Sequence, residues 1–415
     1  MGHDFFQLVS VHKLRESALA FPLVGKESCP LESIPGRVLA EDFYADCDWP
    51  MRSRSCMDGF ALRAADSFGA GEFSPAYVDI AFECRIDSPP EQDIQPGQCA
   101  RIVTGGILPS SADSVVMFEQ TREIGDGCLE IRRPVAPGEN IMLRAEDAAE
   151  GDILLGQGTR IGFRESGLLA AFGGHNCRVY RRPRVGIIST GDEIIPVHEK
   201  PSPGLVRDVN LYALAAQVRD CGGEPRLYGA VRDEYHLLKE AVQRAIEEND
   251  AVLISGGSSV GVRDLTIKVL EDLPGSRILA HGVALSPGKP TILSDISGTA
   301  VWGLPGQVSS VQVVMLVLVE PFLRHIGGES DPLWSFEKRL YPAVLGRNTP
   351  SAPGREDYVR VSLEAGDGES VAWPVTGKSG LLRTMSNAWG MIRIPAESEG
   401  LIKGEKVKVF PFRVV

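Results

Sequence analysis

The sequence lacks the signatures of several common catalytic classes. It has no Gly-x-x-x-x-Gly-Lys-Ser/Thr motif, and the run from Gly282 to Lys289 does not fit one, which disfavours a P-loop nucleotidase. It has no Gly-x-Ser-x-Gly and no recognisable Cys–His arrangement, which disfavours a nucleophilic hydrolase. Its 8 cysteines contain no Cys-x-x-Cys pair, so a zinc site is not expected and reduced thiols are. Basic residues are in deficit. Lys plus Arg number 43 against 55 Asp plus Glu, a formal net charge of −12, which argues against a general nucleic-acid surface. The most apolar stretch, Val308 to Leu323, is interrupted by Gln312 and Glu320 and reads as too short and too polar to span a bilayer. Met1 to Phe5 show no basic stretch leading into an apolar core, so the expectation is a cytoplasmic chain without a secretory leader.

What is present suits a multidomain globular protein. The 415 residues, 43% hydrophobic and 24% charged, are enough for two to four domains. Residues 1–180 carry short β-like runs such as Ala76–Phe82 and Ser114–Phe118 after an amphipathic helix near residues 10–20, and suggest two subdomains. Residues 181–327 alternate strand and helix: strands at 184–189, 225–231, 251–255, 277–284 and 299–303, helices at 210–221, 234–248, 264–273 and 308–326. That alternation predicts a parallel sheet with helices on both faces and a ligand beyond the C-terminal strand ends. Residues 331–415 return to short strands and predict a small β-barrel-like domain. The fold class is therefore α/β plus β, with a central doubly wound domain between a β-rich N-terminal region and a β-barrel-like C-terminal domain.

The most informative stretch is Ser255-Gly256-Gly257-Ser258-Ser259-Val260-Gly261-Val262-Arg263-Asp264, between an apolar strand and a helix. Glycines there let backbone N–H groups approach a phosphate, and the helix N-terminus favours negative charge. Asp264 at the rim could hold a divalent cation that bridges phosphate oxygens. Further loops should open on the same edge: Thr190-Gly191-Asp192-Glu193, Arg232-Asp233, Ser286-Pro287-Gly288-Lys289-Pro290 and Leu304-Pro305-Gly306-Gln307. Each carboxylate alone reads equally as a helix cap or a solvated turn residue. Three at successive strand ends, Glu193, Asp233 and Asp264, favour a metal–phosphate site. In the first region Asp58-Gly59, Thr104 before Gly105-Gly106, and Arg144 with Asp147 form a second set, whose bland readings are a hairpin turn, a strand terminus and a surface ion pair.

Six motifs occur in order: Ser55-Cys-Met-Asp-Gly-Phe-Ala-Leu-Arg63, Arg101-Ile-Val-Thr-Gly-Gly-Ile-Leu-Pro109, Ser189-Thr-Gly-Asp-Glu193, Ser255-Gly-Gly to Gly261 with Asp264, Pro287-Gly-Lys-Pro290 and Gly303-Leu-Pro-Gly306. Together they resemble the MoeA-type molybdopterin molybdotransferases, the family that includes the gephyrin E domain, across nearly the whole chain. The resemblance implies a cytoplasmic transferase that inserts molybdate into adenylylated molybdopterin with Mg²⁺-dependent release of AMP. It implies an elongated homodimer, each active site lying between one subunit's middle domain and the partner's N-terminal region, and contact with the adenylyltransferase that makes its substrate. Carried over by motif, the catalytic set is Asp58, Thr104, Glu193, Asp233, Asp264 and Lys289, with Glu193, Asp233 and Asp264 on the metal. The substrate-contacting set is Thr190, Gly191, Asp208, Ser255, Gly256, Gly257, Ser258, Gly261, Ser286, Pro287, Gly288, Pro305, Gly306, Arg144 and Asp147.

Three departures stand out. Ser258 replaces the usual valine of the Gly-rich loop, Ser286 stands where a lysine often precedes Pro-Gly-Lys-Pro, and Gln307-Val308 replaces Asn-Pro after Leu-Pro-Gly. They bear on the choice of oxyanion, so a tungstate-inserting variant is one alternative. A molybdopterin adenylyltransferase is a second, disfavoured by residues 1–180 and 331–415. A receptor-clustering scaffold is a third, disfavoured because it need not keep Asp58, Glu193, Asp233 and Asp264 together.

Overall fold

The structure is a computed structural model. It describes residues 8–412 apart from 126, 257–259, 334–338, 367, 376 and 379, and only the backbone of 260–264 and 385. The chain forms two compact units, one of residues 42–156 and 163–175, the other of 1–41, 157–162 and 176–415.

The first unit is built on an open six-stranded sheet. Its strands are β1 (Gly59–Leu62), β2 (Ala76–Glu83), β3 (Gln98–Ile102), β4 (Ser114–Met117), β5 (Thr121–Ile124) and β6 (Cys128–Ile131), in the order β4-β1-β3-β2-β6-β5. Phe60, Leu62, Val78, Cys99, Val116, Leu129 and Ile131 fill one core, and Ala61, Ala100, Ile102 and Val115 a second. β1 lies between β3 and β4 and is buried along its whole length. Gly59 is required there because a Cβ would lie 2.0 Å from the Val116 carbonyl oxygen.

The second unit opens with helix α1 (Val11–Ala18), capped by Ser10 Oγ on the Lys13 amide. Its central sheet has strands β7 (Arg184–Thr190), β8 (Glu224–Val231), β9 (Ala251–Gly256), β10 (Ser276–His281), β11 (Ile292–Ile296) and β12 (Thr299–Leu304), in the order β8-β7-β9-β12-β11-β10. The four at one end run parallel, but β11 pairs antiparallel with β12 and with β10. The sheet is therefore mixed rather than parallel. The reason is Ser297-Gly298, a two-residue connection that can return the chain only antiparallel; Ser297 takes φ 52° and Gly298 φ 91°. β11 itself was not among the sequence-predicted strands, and β10 ends at His281 rather than at residue 284.

Helices cover both faces. α2 (Asn210–Asp220) and the helix Val308–Ile326, here α5, join Val185, Ile187, Leu253 and Trp302 in one core. α3 (Tyr235–Glu248) and α4 (Val260–Glu271) join Ile188, Val252, Ile254 and Val301 in the other. Alternation along β9 thus serves two cores at once, as expected of a strand buried on both faces. Trp302 is fully buried against Phe322, ring centroids 5.6 Å apart; burying such a side chain stabilises by about 1.5–3 kcal/mol. α4 begins at Val260, four residues before the predicted start, because the loop's last residues already wind into its first turn. α5 spans the 308–326 expected from the sequence. Its 19 residues are long and apolar enough to cross a membrane, yet 72% of its apolar window is buried inside the protein, so it is a core helix. Its middle turn, Met315–Val319, is π-helical, and the Val317 carbonyl in that turn accepts Arg15 Nε at 2.9 Å.

The C-terminal strands β13 (Tyr341–Leu345), β14 (Glu356–Glu364), β15 (Val371–Pro374), β16 (Gly390–Ile394) and β17 (Lys406–Pro411) close on themselves in the order β14-β15-β13-β17-β16, with β16 returning to β14. A two-residue strand, Leu285–Ser286, pairs in parallel with Glu356 and Asp357 on the outside of this barrel.

Candidate active site

Thr190, Val231, Gly256 and Leu304 end parallel strands and share one sheet edge. Because β11 is antiparallel, its start, Ile292 opposite Gly303, lies at that edge too. The Ser286–Pro290 loop therefore arrives at the expected place by entering a strand rather than leaving one. Gly256 sits against β7 so closely that a Cβ would lie 1.9 Å from Thr190 Oγ1.

The edge is rich in carboxylates and in buried oxygens without partners. Asp233 follows β8, and its backbone N–H donates to Asp192 Oδ1 at 3.3 Å. The Asp233 carboxyl is held above its ordinary pKa, first by burial and then by the charges of Asp192 and Glu193. Among the described residues, Asp233 Oδ1, Ser189 Oγ, Asp208 Oδ2 and Asn210 Oδ1 are buried without a hydrogen-bond partner. Ser255, 1% exposed, accepts Asn210 Nδ2 at 2.8 Å, and the same nitrogen donates to the Gly306 carbonyl at 2.9 Å. Asn210 thereby ties the start of α2 to the ends of β9 and β12. Lys289 is exposed, while Gly288 is buried against Val314 and Leu285. Gly257 and Ser258 lie outside the described residues, as do the side chains of Asp264 and the rest of the first turn of α4, Gly261 included. Among the described residues no three His, Cys, Asp or Glu side chains form a ready metal cluster.

In the other unit, Thr104 N–H and Oγ–H both donate to Asp58 Oδ1, at 2.7 and 2.9 Å. These bonds hold the exposed Asp58 carboxyl below its ordinary pKa. Asp58 is thus a fixed, ionised acceptor, and its neighbour Gly59 opens β1 rather than a hairpin turn. Arg144 does not pair with Asp147. Its Nε donates to Asp48 Oδ2 at 2.6 Å, and Asp147 is exposed with its amide on the Trp49 carbonyl.

Two cavities lie elsewhere in the second unit. The larger, about 1000 Å³, runs between α2, α5 and the barrel, with Val209, Leu316, Met391 and Phe410 in its walls and none of the edge carboxylates. The smaller, about 270 Å³, is lined by Arg347, Tyr358 and Arg360 of the barrel and by no carboxylate. Arg360 donates to Thr384 Oγ1 and the Gly377 carbonyl, and burial alone lowers its pKa. Sequence reasoning passed over Arg360, Asp192 and the amide of Asn210. The signal for Asn210 was its place two residues after Asp208, at the start of a helix that follows a strand end.

The chain is 36% identical over 337 residues to a molybdopterin molybdenumtransferase of Nostoc sp., covering 80% of this chain and 76% of that one. It belongs to the MoeA family. A molybdopterin molybdenumtransferase of Bacillus subtilis is 32% identical over 391 residues, 92% of this chain and 89% of that one. Family models match in order: the MoeA N-terminal region (domain I and II) at 9–173, a probable molybdopterin binding domain at 186–325 and the MoeA C-terminal region (domain IV) at 342–412. Two solved structures of a Pyrococcus horikoshii molybdopterin biosynthesis MoeA protein superpose with TM-scores of 0.79 and 0.83 at 35% and 29% identity, covering 99% and 98% of this chain and 100% of each. The Asp58–Thr104 pair falls in the MoeA N-terminal region, the carboxylate edge in the molybdopterin binding domain and the Arg360 cavity in the MoeA C-terminal region.

Proposed function

We propose that this chain is a molybdopterin molybdotransferase, inserting molybdate into adenylylated molybdopterin and releasing AMP. One observation carries the reading. Asp233, Glu193 and Gly256 lie at one sheet edge, in a chain similar along its length to proteins of that name. A Mg²⁺ ion fits this edge, because Asp233 has a buried oxygen without a partner and sits in the field of two further carboxylates. Glu193 and Asp233 would hold it, joined by Asp264 as the motif implies. Bound there, it would offset the charge on a phosphoanhydride as that bond opens. The chain's own groups do the rest. Gly256 lets the backbone approach the phosphate, Lys289 adds a positive charge at the edge, and Asp58, kept ionised by Thr104, is a fixed acceptor.

The reading extends to a homodimer in which Asp58 and Thr104 of one subunit serve the sheet edge of the other, fed by the enzyme that adenylylates molybdopterin. All 8 cysteines are thiols, which suits a cytoplasmic setting. Residues 1–180, 181–327 and 331–415 would be its working divisions. Ser286 occupies a fixed strand position on the barrel and offers the oxyanion a hydroxyl, so tungstate competes with molybdate as cargo.

The test is AMP release from adenylylated molybdopterin by the full chain. Release should need Mg²⁺ and be stimulated by molybdate or tungstate. Equal release with EDTA and no oxyanion would refute the reading.

A further inference from the structure

Asp58 and Thr104 meet on exposed loops, where water competes for every hydrogen bond, so their alignment depends on what holds the loops. Thr104 is the second residue of a turn closed by the Gly106 N–H on the Val103 carbonyl at 2.9 Å. The third residue, Gly105, takes φ 81°, as a type II turn requires. Backbone bonds sew this turn to the segment that carries Asp58. The Gly105 N–H donates to the Ser55 carbonyl at 2.8 Å, the Ser55 N–H to the Gly106 carbonyl at 2.9 Å and the Leu108 N–H to the Ser53 carbonyl at 3.1 Å. Ser55 also fixes the residue before Asp58, since its Oγ donates to the Met57 carbonyl at 2.5 Å and accepts the Met57 N–H at 3.2 Å. A side chain completes the join. Arg54 Nη1 donates to the Gly105 carbonyl at 2.6 Å, one residue beyond Thr104. Arg54 is half-buried, and its own backbone is pinned on both sides, paired with Met142 and bridged to Ile107. A guanidinium projected from a fixed strand thus grips the turn that aims Thr104. Only the two Thr104 bonds lower the Asp58 pKa, and no cation among the described residues contributes, so Arg54 reaches Asp58 through the turn and not through space.

We propose that Arg54 is a positioning residue for the reaction: by bracing the Gly105 carbonyl it aims the Thr104 N–H and hydroxyl at Asp58 and so keeps that carboxylate a fixed acceptor. The inference rests on the molybdotransferase reading above, and its test separates the two. The Thr104 amide proton of the full chain is followed by NMR through a pH titration, since its bond to Asp58 makes it report that carboxyl. Arg54→Met should move the midpoint up toward the ordinary carboxylate value. The move should be the same in low and high salt, because a through-space charge effect would be screened and this one would not. Arg54→Lys keeps the charge without the guanidinium's reach and fork, so it should fall between the two, and it supplies the same readout if Arg54→Met does not fold. In the AMP-release assay Arg54→Met should lower kcat about 10-fold, the scale of one charged hydrogen bond. KM should change less and the Mg²⁺ requirement not at all. Added to Asp58→Ala, the same substitution should cost less than about 2-fold, because its effect runs through Asp58. An unchanged Thr104 titration in folded Arg54→Met overturns the proposal, even if Tm falls. So does a 10-fold loss that persists in the Asp58→Ala background, which would make Arg54 act on substrate directly. Absence of AMP release in wild type would instead sink the functional reading, and the titration would still decide the role of Arg54.

Discussion

Asp233 and Asp58 are carboxylates pushed in opposite directions, and their surroundings say why. Asp58 accepts two bonds from Thr104 and is exposed, so its ionised form is favoured. Asp233 is half-buried beside two like charges, so its ionised form is disfavoured. The sign for stability follows. The folded chain holds the Asp233 proton to higher pH than the unfolded chain, so its contribution to stability falls as pH rises from the ordinary carboxylate range through the raised value. A cation binds the ionised form and reverses that loss. The Mg²⁺-induced rise in Tm should therefore be small in mild acid and grow toward neutral pH, and Asp233→Asn should flatten that growth. Thermal scans across pH with and without Mg²⁺ check this, and a Mg²⁺ effect independent of pH would remove Asp233 from the metal site.

At the scale of elements, the contact between β7 and β9 is the tightest part of the site. Gly256→Ala would drive a methyl group into Thr190 Oγ1, and overpacking of this kind costs about 1–3 kcal/mol. The expected outcome is a lower Tm together with a larger loss of AMP release, because Gly256 opens the loop proposed to hold the phosphate; chemical denaturation and the AMP assay measure the two. Most of the elements at this edge were legible in the sequence. The continuous apolar run Ala251 to Ile254 and the 3–4 residue spacing of Leu238, Val242 and Ala245 are local patterns, and local patterns survive folding. β11 was not legible, since Ile292 to Ile296 follows a Pro-Gly-Lys-Pro loop and is short, and its direction depends on a partner strand beyond a two-residue turn. The candidate site divides the same way. Glycines and carboxylates at strand ends mark themselves, whereas Asn210 acquires meaning only from what is, and is not, beside it in space.

At the scale of the whole molecule, Asp58 and Glu193 belong to different compact units. If one subunit's Asp58 serves the other's sheet edge, the two defects complement. Asp58→Ala and Glu193→Ala homodimers should each release little AMP, while a purified mixed dimer, with one intact composite site of two, should recover up to about half of wild-type release. No recovery in verified mixed dimers would mean that the two residues do not meet across a dimer axis.

The strand Leu285–Ser286 gives the Pro-Gly-Lys loop an unusual pair of moorings. On one side the chain is stitched to the outside of the barrel at Glu356 and Asp357, and within a few residues it enters the central sheet at Ile292. The barrel is thus a foundation for the site rather than an appendage. A graft of another family member's barrel would carry the loop's anchorage with it, so the exchangeable part of this protein is the barrel together with residues 285–291, and recombination between relatives should succeed at boundaries that keep those two pieces from the same parent.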